Sequence, residues 1–315
     1  MPSAVPVGNG VYRIDTEYLR PGLAASHLVV DSGRAAFVDT GAAPAHPRLM
    51  QALSELDLRP DQVDYVLLTH VHLDHAGGAG QLMRALPRAR AVLHPRGAPH
   101  LVDPARLIAG TVAVYGEAMY QELYGEIVPV PQERVIVAND GDRIMLGSRT
   151  FELLDTPGHA RHHYCAHDLD HGDVFSGDTF GISYRDFDTA AGPFIFPTTT
   201  PVQFESPALH ASIDRLLSHN PQQMLLTHFG RVTEVVRLAA QMHRLIDAFV
   251  ELALEVRNTG SQRHQRLVDG QRAILLDALR AHGCRLSDNE IDRLLAMDFE
   301  LNAQGIEVWL DRPAR

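Results

Sequence analysis

The stretch Thr69-His70-Val71-His72-Leu73-Asp74-His75-Ala76-Gly77-Gly78 puts three histidines and one aspartate into six residues. Imidazole nitrogens and carboxylate oxygens are the usual ligands of zinc and related borderline cations. Such an ion lowers the pKa of a bound water and polarises an oxygen of a substrate. The spacing therefore points to metal-assisted chemistry that needs no serine or cysteine nucleophile. Residues two apart on an extended segment share a side. His70 and His72 can grip one ion, while Asp74 and His75, on the following turn, face a second. The apolar run Val63-Asp64-Tyr65-Val66-Leu67-Leu68 reads as a buried strand that delivers the cluster. Gly77-Gly78 lets the backbone turn after it.

Further motifs follow in order. His159 lies in Asp155-Thr156-Pro157-Gly158-His159, Asp178 in Ser176-Gly177-Asp178-Thr179, and His228 in Leu225-Leu226-Thr227-His228. Asp39 lies earlier, in Val38-Asp39-Thr40-Gly41. On these residues the chain resembles the metallo-β-lactamase fold superfamily, in its binuclear hydrolase branch of glyoxalase II and lactonase-like enzymes. The resemblance covers roughly residues 8 to 235. It implies an α/β fold, an αββα sandwich followed by a C-terminal helical extension. It also implies two divalent ions, with His70, His72 and His159 at one site and Asp74, His75 and His228 at the other. Asp178 and a hydroxide would be shared. Asp39 would support the histidine loop from behind, as ligand histidines commonly require. The nitrogen and oxygen ligand set favours zinc, with manganese and iron compatible.

The expected reaction is hydrolysis of a small ester-type substrate, a lactone, thioester or similar, by the metal-bridging hydroxide. Asp74 is then a candidate proton shuttle to the leaving group. His163 and Tyr184 are candidate catalytic side chains, since the resemblance puts both near the substrate. The alternative readings are that His163 only opens a strand and that Tyr184 is an ordinary loop aromatic. Two other reactions fit the scaffold: a mononuclear iron oxygenase of the persulfide dioxygenase type, and a phosphodiesterase. The complete second ligand set argues against the first. Net charge argues against the second, and against nucleic acid as a partner: Lys and Arg number 28 and Asp and Glu 39, a balance of −11.

Hydrophobic content of 45% and charged content of 21% are ordinary for a globular chain. The two cysteines, Cys165 and Cys284, form no disulfide framework and suit a reducing compartment. No basic segment followed by an apolar core occupies Met1 to Gly10, and no apolar run approaches membrane-spanning length. A cytoplasmic protein without a membrane partner is expected.

The positioning elements can also be read. Strands are expected at 11–14, 26–30, 35–38, 91–94, 150–154, 164–167, 173–176 and 222–226, and helices at 47–58, 81–86 and 207–217. Residues 135–146 read as a hairpin about Asn139-Asp140-Gly141-Asp142. Residues 95–128 read either as a lid carrying Tyr115, Tyr120 and Tyr124 towards the substrate, or as helices packing those tyrosines on the core. Phe187, Phe194 and Phe196, with threonines 198 to 200, suggest an apolar rim. A catalytic domain over 1–235 is expected, with helices over 236–315 packed on it or making a homodimer contact. Ser287 and Glu290 form a capping-box signal there.

Overall fold

A computed structural model describes residues 2–200 and 202–312. Its strands are β1 (Ala4–Gly8), β2 (Val11–Asp15), β3 (Ala25–Asp31), β4 (Arg34–Val38), β5 (Val63–Leu67), β6 (Arg90–Leu93), β7 (Val135–Val137), β8 (Arg143–Leu146), β9 (Arg149–Asp155), β10 (Tyr164–Asp168), β11 (Asp173–Gly177), β12 (Gln223–Leu226) and β13 (Gly230–Val232). Its α-helices are α1 (His46–Glu55), α2 (Leu73–Ala76), α3 (Ala79–Ala85), α4 (Ala98–Val102), α5 (Ala105–Tyr115), α6 (Glu117–Tyr124), α7 (Ser206–Ser218), α8 (Val235–Val256), α9 (Arg263–Ala281) and α10 (Asp288–Leu310). The chain divides into two compact units. The first holds Met1–Asp155, His162–Gly177 and Pro221–Thr233, and the second holds Thr156–Arg161, Asp178–Asn220 and Glu234–Arg315.

Both sheets belong to the first unit. The seven-stranded sheet runs β1 to β7 in chain order, antiparallel as far as β4 and parallel from β4 to β7. The six-stranded sheet runs β13-β12-β11-β10-β9-β8, with only β11 and β12 parallel. Side chains alternate across a strand, and here the alternation feeds two cores. Ala35 and Phe37 of β4, and Ala91 and Leu93 of β6, pack with Leu49, Ala52 and Leu53 of α1 and Leu82 and Met83 of α3. Ala36, Val38 and Val92 point the other way, onto Phe151, Leu153, Tyr164, Phe175 and Leu225 of the second sheet. The strands between the two cores are apolar on both faces, which is why they read as continuous hydrophobic runs.

Two readings are corrected. β7 and β8 are not a hairpin. The turn at Asn139–Asp142 forms, with Gly141 at φ +78° and the Asp142 carboxylate accepting from Asn139 N–H at 2.7 Å. The strands it joins enter different sheets, β7 beside β6 and β8 beside β9. Turn chemistry sets a chain reversal, but free sheet edges choose the pairing. β1 was not anticipated. Pro6 and Gly8 obscure its pattern, and its place at a sheet edge tolerates a residue without an N–H.

The second unit is built on helices. Leu209, Ile213 and Leu216 form the buried stripe of α7, and Leu238, Met242, Leu245 and Phe249 that of α8. The Ser287 side chain accepts from Glu290 N–H and the Glu290 side chain accepts from Ser287 N–H, so α10 starts where the capping box predicts. It runs unbroken to Leu310.

Candidate metal centre

In the first unit the site is organised around Asp39. This residue leaves β4 at φ +56° and is 1% exposed. Asp tolerates that left-handed backbone better than most side chains. Its N–H donates to Leu67 O at 2.8 Å, and its own carbonyl accepts from Ser26 Oγ at 2.8 Å. Its carboxylate accepts from Thr69 N–H (2.8 Å), from Thr69 Oγ1 (2.9 Å to Oδ2), from Thr227 Oγ1 (2.7 Å) and from His75 Nδ1 (2.8 Å). One buried carboxylate therefore ties together the ends of β4, β5 and β12.

Asp74 and His75 lie on α2, one helical turn, rather than on an open turn. Neither following glycine has a positive φ, so the turn does not need their conformational freedom. Close approach is the reason for them: a Cβ on Gly77 would meet Leu73 O at 2.4 Å, and one on Gly78 would meet Ala42 O at 3.2 Å.

A carboxylate only accepts, so Asp39 fixes the hydrogen of His75 on Nδ1 and leaves the Nε2 lone pair available. The carbonyl of Leu23 does the same for His228, whose Nδ1 donates to it at 2.8 Å. The ligand atoms of Asp74, His75 and His228 lie within 4.8 Å of one another. His228 Nε2 is 3.3 Å and His75 Nε2 is 3.8 Å from Asp74 Oδ2. This is a donor set of two neutral imidazoles and a carboxylate, with both non-ligating nitrogens already satisfied. It fits a borderline divalent cation. His70 Nε2 and His72 Nδ1 are 2.9 Å apart, within about half an ångström of the separation of about 3.3 Å expected for two nitrogens on one tetrahedral zinc ion.

His163 is fully buried, with its ring 5.0 Å from that of His70. A Cβ on Gly177 would lie 2.5 Å from His163 Nε2, so glycine is needed there for space as well as for its φ of +47°. The neighbouring His162, which the sequence reading gave no role, is T-shaped to His72 at 5.7 Å. Burial holds its pKa well below the ordinary imidazole value, and the nearby His72, His100 and His94 add to the effect. Residues 95–128 form α4 to α6. Tyr120 and Tyr124 are buried in a cluster with Tyr18, Leu73 and Ala42, and the hydroxyls of Tyr18 and Tyr124 are 2.8 Å apart. Burial raises the pKa of both tyrosines, and Asp74 contributes in the same direction.

In the second unit His159 Nε2 is 3.5 Å from Asp178 Oδ2. The segment before His159 is pinned to α7. Ser212 Oγ donates to Pro157 O at 2.6 Å, and a Cβ on Gly158 (φ +132°) would lie 2.3 Å from Leu209 Cα. Thr179 Oγ1 donates to Thr156 O at 3.1 Å, joining the segments that carry His159 and Asp178. Tyr184 is 2% exposed, and its hydroxyl donates to Asp298 of α10 at 3.1 Å. Phe187, Phe194 and Phe196 are fully buried around it rather than forming a rim. Their aromatic content signalled an interior, which sequence alone does not separate from a pocket wall.

The sequence profile of the metallo-β-lactamase superfamily matches residues 19–219. The chain belongs to the metallo-β-lactamase superfamily. Among its relatives, a hydroxyacylglutathione hydrolase of Stenotrophomonas maltophilia is 33% identical over 153 residues, covering 48% of this chain and 44% of that protein. The acyl-coenzyme A thioesterase MBLAC2 of Homo sapiens is 29% identical over 181 residues, covering 55% and 64%. The chain thus spans between 44% and 64% of the length of these curated relatives. The solved structure of a metallo-β-lactamase family protein from Thermus thermophilus shares the fold, with a TM-score of 0.70 at 20% identity over 97% of this chain and 94% of that one.

Within this superfamily member, three supports of the centre escaped the sequence reading: the Leu23 carbonyl, Thr227 Oγ1 and Tyr18. A backbone carbonyl carries no sequence signal. Thr227 stood beside His228 in the motif and is the one that adjacency to a ligand could have flagged.

Proposed function

We propose that this chain is a binuclear metal-dependent hydrolase of a small thioester or related ester, a lactone included. The observation that carries the reading is the Asp74, His75 and His228 group, with Asp39 and Leu23 O holding the outer nitrogens of its histidines. His70 and His72 would take a second ion with His159, and Asp178 would be common to both ions. The order of these residues in the sequence and the 3.5 Å pairing of His159 with Asp178 support that assignment. Zinc is the favoured metal on this ligand set. The names of the two relatives, hydroxyacylglutathione hydrolase and acyl-coenzyme A thioesterase, favour a thioester within the ester class.

Bound divalent ions would supply Lewis-acid polarisation and a water of lowered pKa. The side chains do the rest. His75 and His228 enter as neutral Nε2 donors, because their Nδ1 hydrogens are engaged. Asp39 keeps the His75 ring from rotating. Asp74 is 21% exposed at its side chain, whereas those of His75 and His228 are 0% and 5% exposed. Its carboxylate oxygen is therefore the group of this set with access to a leaving group, and we assign it the proton transfer. We assign the Tyr184 hydroxyl no proton transfer, since its hydrogen is donated to Asp298. A small-molecule substrate, no nucleic-acid partner and a cytoplasmic location complete the proposal; the buried thiols of Cys165 and Cys284 are compatible with a reducing compartment.

The test is metal quantification on purified protein, followed by thioesters, lactones and phosphodiesters under one set of conditions. Two ions per chain with fastest turnover on thioesters is expected. One iron per chain with oxygen uptake, or turnover of phosphodiesters alone, overturns the reading. Asp74→Asn, assayed at metal concentrations that restore two ions per chain, should lose at least about tenfold in kcat. Metal retained with unchanged kcat removes the proton-transfer role.

A further inference from the structure

The second unit carries another group of metal-competent side chains, outside the centre just described. His210 and Asp214 lie one turn apart on α7, and His243 and Asp247 one turn apart on α8. His210 Nδ1 is 2.6 Å from His243 Nδ1. The two rings are within 5° of parallel, with centroids 4.9 Å apart. That separation is what the nitrogen gap plus one ring radius at either end adds up to. The rings therefore meet edge to edge in nearly one plane, not face to face. Behind each ring stands a carboxylate from the other helix. His210 Nε2 is 3.1 Å from Asp247 Oδ1, and His243 Nε2 is 3.2 Å from Asp214 Oδ1.

A carboxylate only accepts, so each Nε2 carries a hydrogen. A neutral imidazole has one N–H, which leaves both Nδ1 atoms presenting lone pairs to each other. Two lone pairs repel across so short a gap unless positive charge lies between them. One shared proton meets that need and leaves the quartet with a net charge of −1. A divalent cation meets it too, with two imidazole donors in front, two hydrogen-bonded carboxylates behind, and no net charge. Each ring has the same relation to its carboxylate as His75 has to Asp39: one nitrogen held, the other left to ligate.

We propose that His210 and His243 form a surface site for one borderline divalent cation of the zinc, nickel or copper(II) class, bridging α7 to α8. Both Nδ1 atoms ligate, Asp247 and Asp214 hold the Nε2 hydrogens, and water fills the remaining positions. Tetrahedral zinc with Zn–N near 2.0–2.1 Å places two nitrogens about 3.3 Å apart, so the present gap has to widen by less than an ångström. The carboxylates are free to follow, with side chains 65% and 70% exposed, and the histidines are open to solvent at 25% and 27%. Cation and proton compete for one place.

The test is equilibrium dialysis of the holoprotein, its tight ions retained, against micromolar zinc chloride at pH 7.5 and pH 5.5. Wild type should hold one more zinc per chain than His210→Ala/His243→Ala at the higher pH and should lose it at the lower. Turnover of a thioester should be unchanged in the variant. Asp214→Asn/Asp247→Asn should bind this extra ion about 10- to 100-fold more weakly. If the double alanine variant does not fold, His210→Gln and His243→Gln, which keep a polar side chain, serve for the same comparison. Equal zinc counts in wild type and these variants at pH 7.5 overturn the site and leave only a shared proton.

Discussion

At the scale of single residues, Asp39 is the position on which the centre most depends. It is not a ligand in the proposed centre, yet four donors from two other strand ends and α2 converge on its carboxylate. Asp39→Ala should weaken metal retention about 10- to 100-fold, measured as the ion remaining after dialysis against graded chelator. Retention equal to wild type would show that His75 holds its orientation without the carboxylate. His27 offers a second test. It is fully buried, and desolvation lowers its pKa to about 4 from 6.5. Between these values the unfolded chain binds a proton that the folded chain refuses, so stability rises with pH across that window. Protonating His27 then costs the folded state about 3 kcal/mol relative to the unfolded chain, a loss that builds as the pH falls from 6.5 towards 4. Urea unfolding of His27→Gln at pH 7 and pH 5 should show a shallower loss than wild type, and identical slopes would contradict this.

At the scale of elements, the centre depends on strand ends and on what is packed behind them. α6 contributes Tyr124, whose hydroxyl meets that of Tyr18 in a cluster that includes Leu73, the residue before Asp74. Tyr124→Phe leaves a buried partner behind and should cost about 1–3 kcal/mol in urea unfolding. The double change with Tyr18→Phe should cost less than the two singles added. Strict additivity would mean that the hydroxyls do not interact. In the second unit, α10 bears on the loop beside His159. Asn302 accepts from Thr199 N–H at 2.6 Å, and a Cβ on Gly305 would lie 1.7 Å from Thr199 O. The adjacent Thr198 carbonyl is 3.5 Å from His159 Nδ1. Gly305→Ala should therefore cost about 1–3 kcal/mol by overpacking and should lower turnover beyond that loss of stability. A variant with wild-type melting and turnover would separate α10 from the centre.

At the scale of the molecule, the proposed ions are part of the fold's stability. Ions bound at 1,000 times their Kd stabilise by about 4 kcal/mol per independent site. Chelation should lower Tm by several degrees, and added zinc should restore both Tm and activity. A Tm indifferent to chelator would mean that these side chains clasp no ion in solution. The charge of −11 bears on partners rather than on the fold, and it predicts no salt-sensitive binding to a nucleic-acid duplex.

The sequence by itself determined the ligand candidates, the strand that delivers His70 to His75, and the stripes of α1, α7 and α8. Each of these is written in residue type at a short, fixed spacing, and local chemistry decides such things. Only the tertiary structure decided that β7 and β8 go to different sheets, that Phe187, Phe194 and Phe196 are interior, and that Leu23 O and Thr227 serve His228 and Asp39. It alone brought His210 to His243. Those outcomes depend on which surfaces meet after the chain has turned many times, and no spacing along the chain encodes a distance across it.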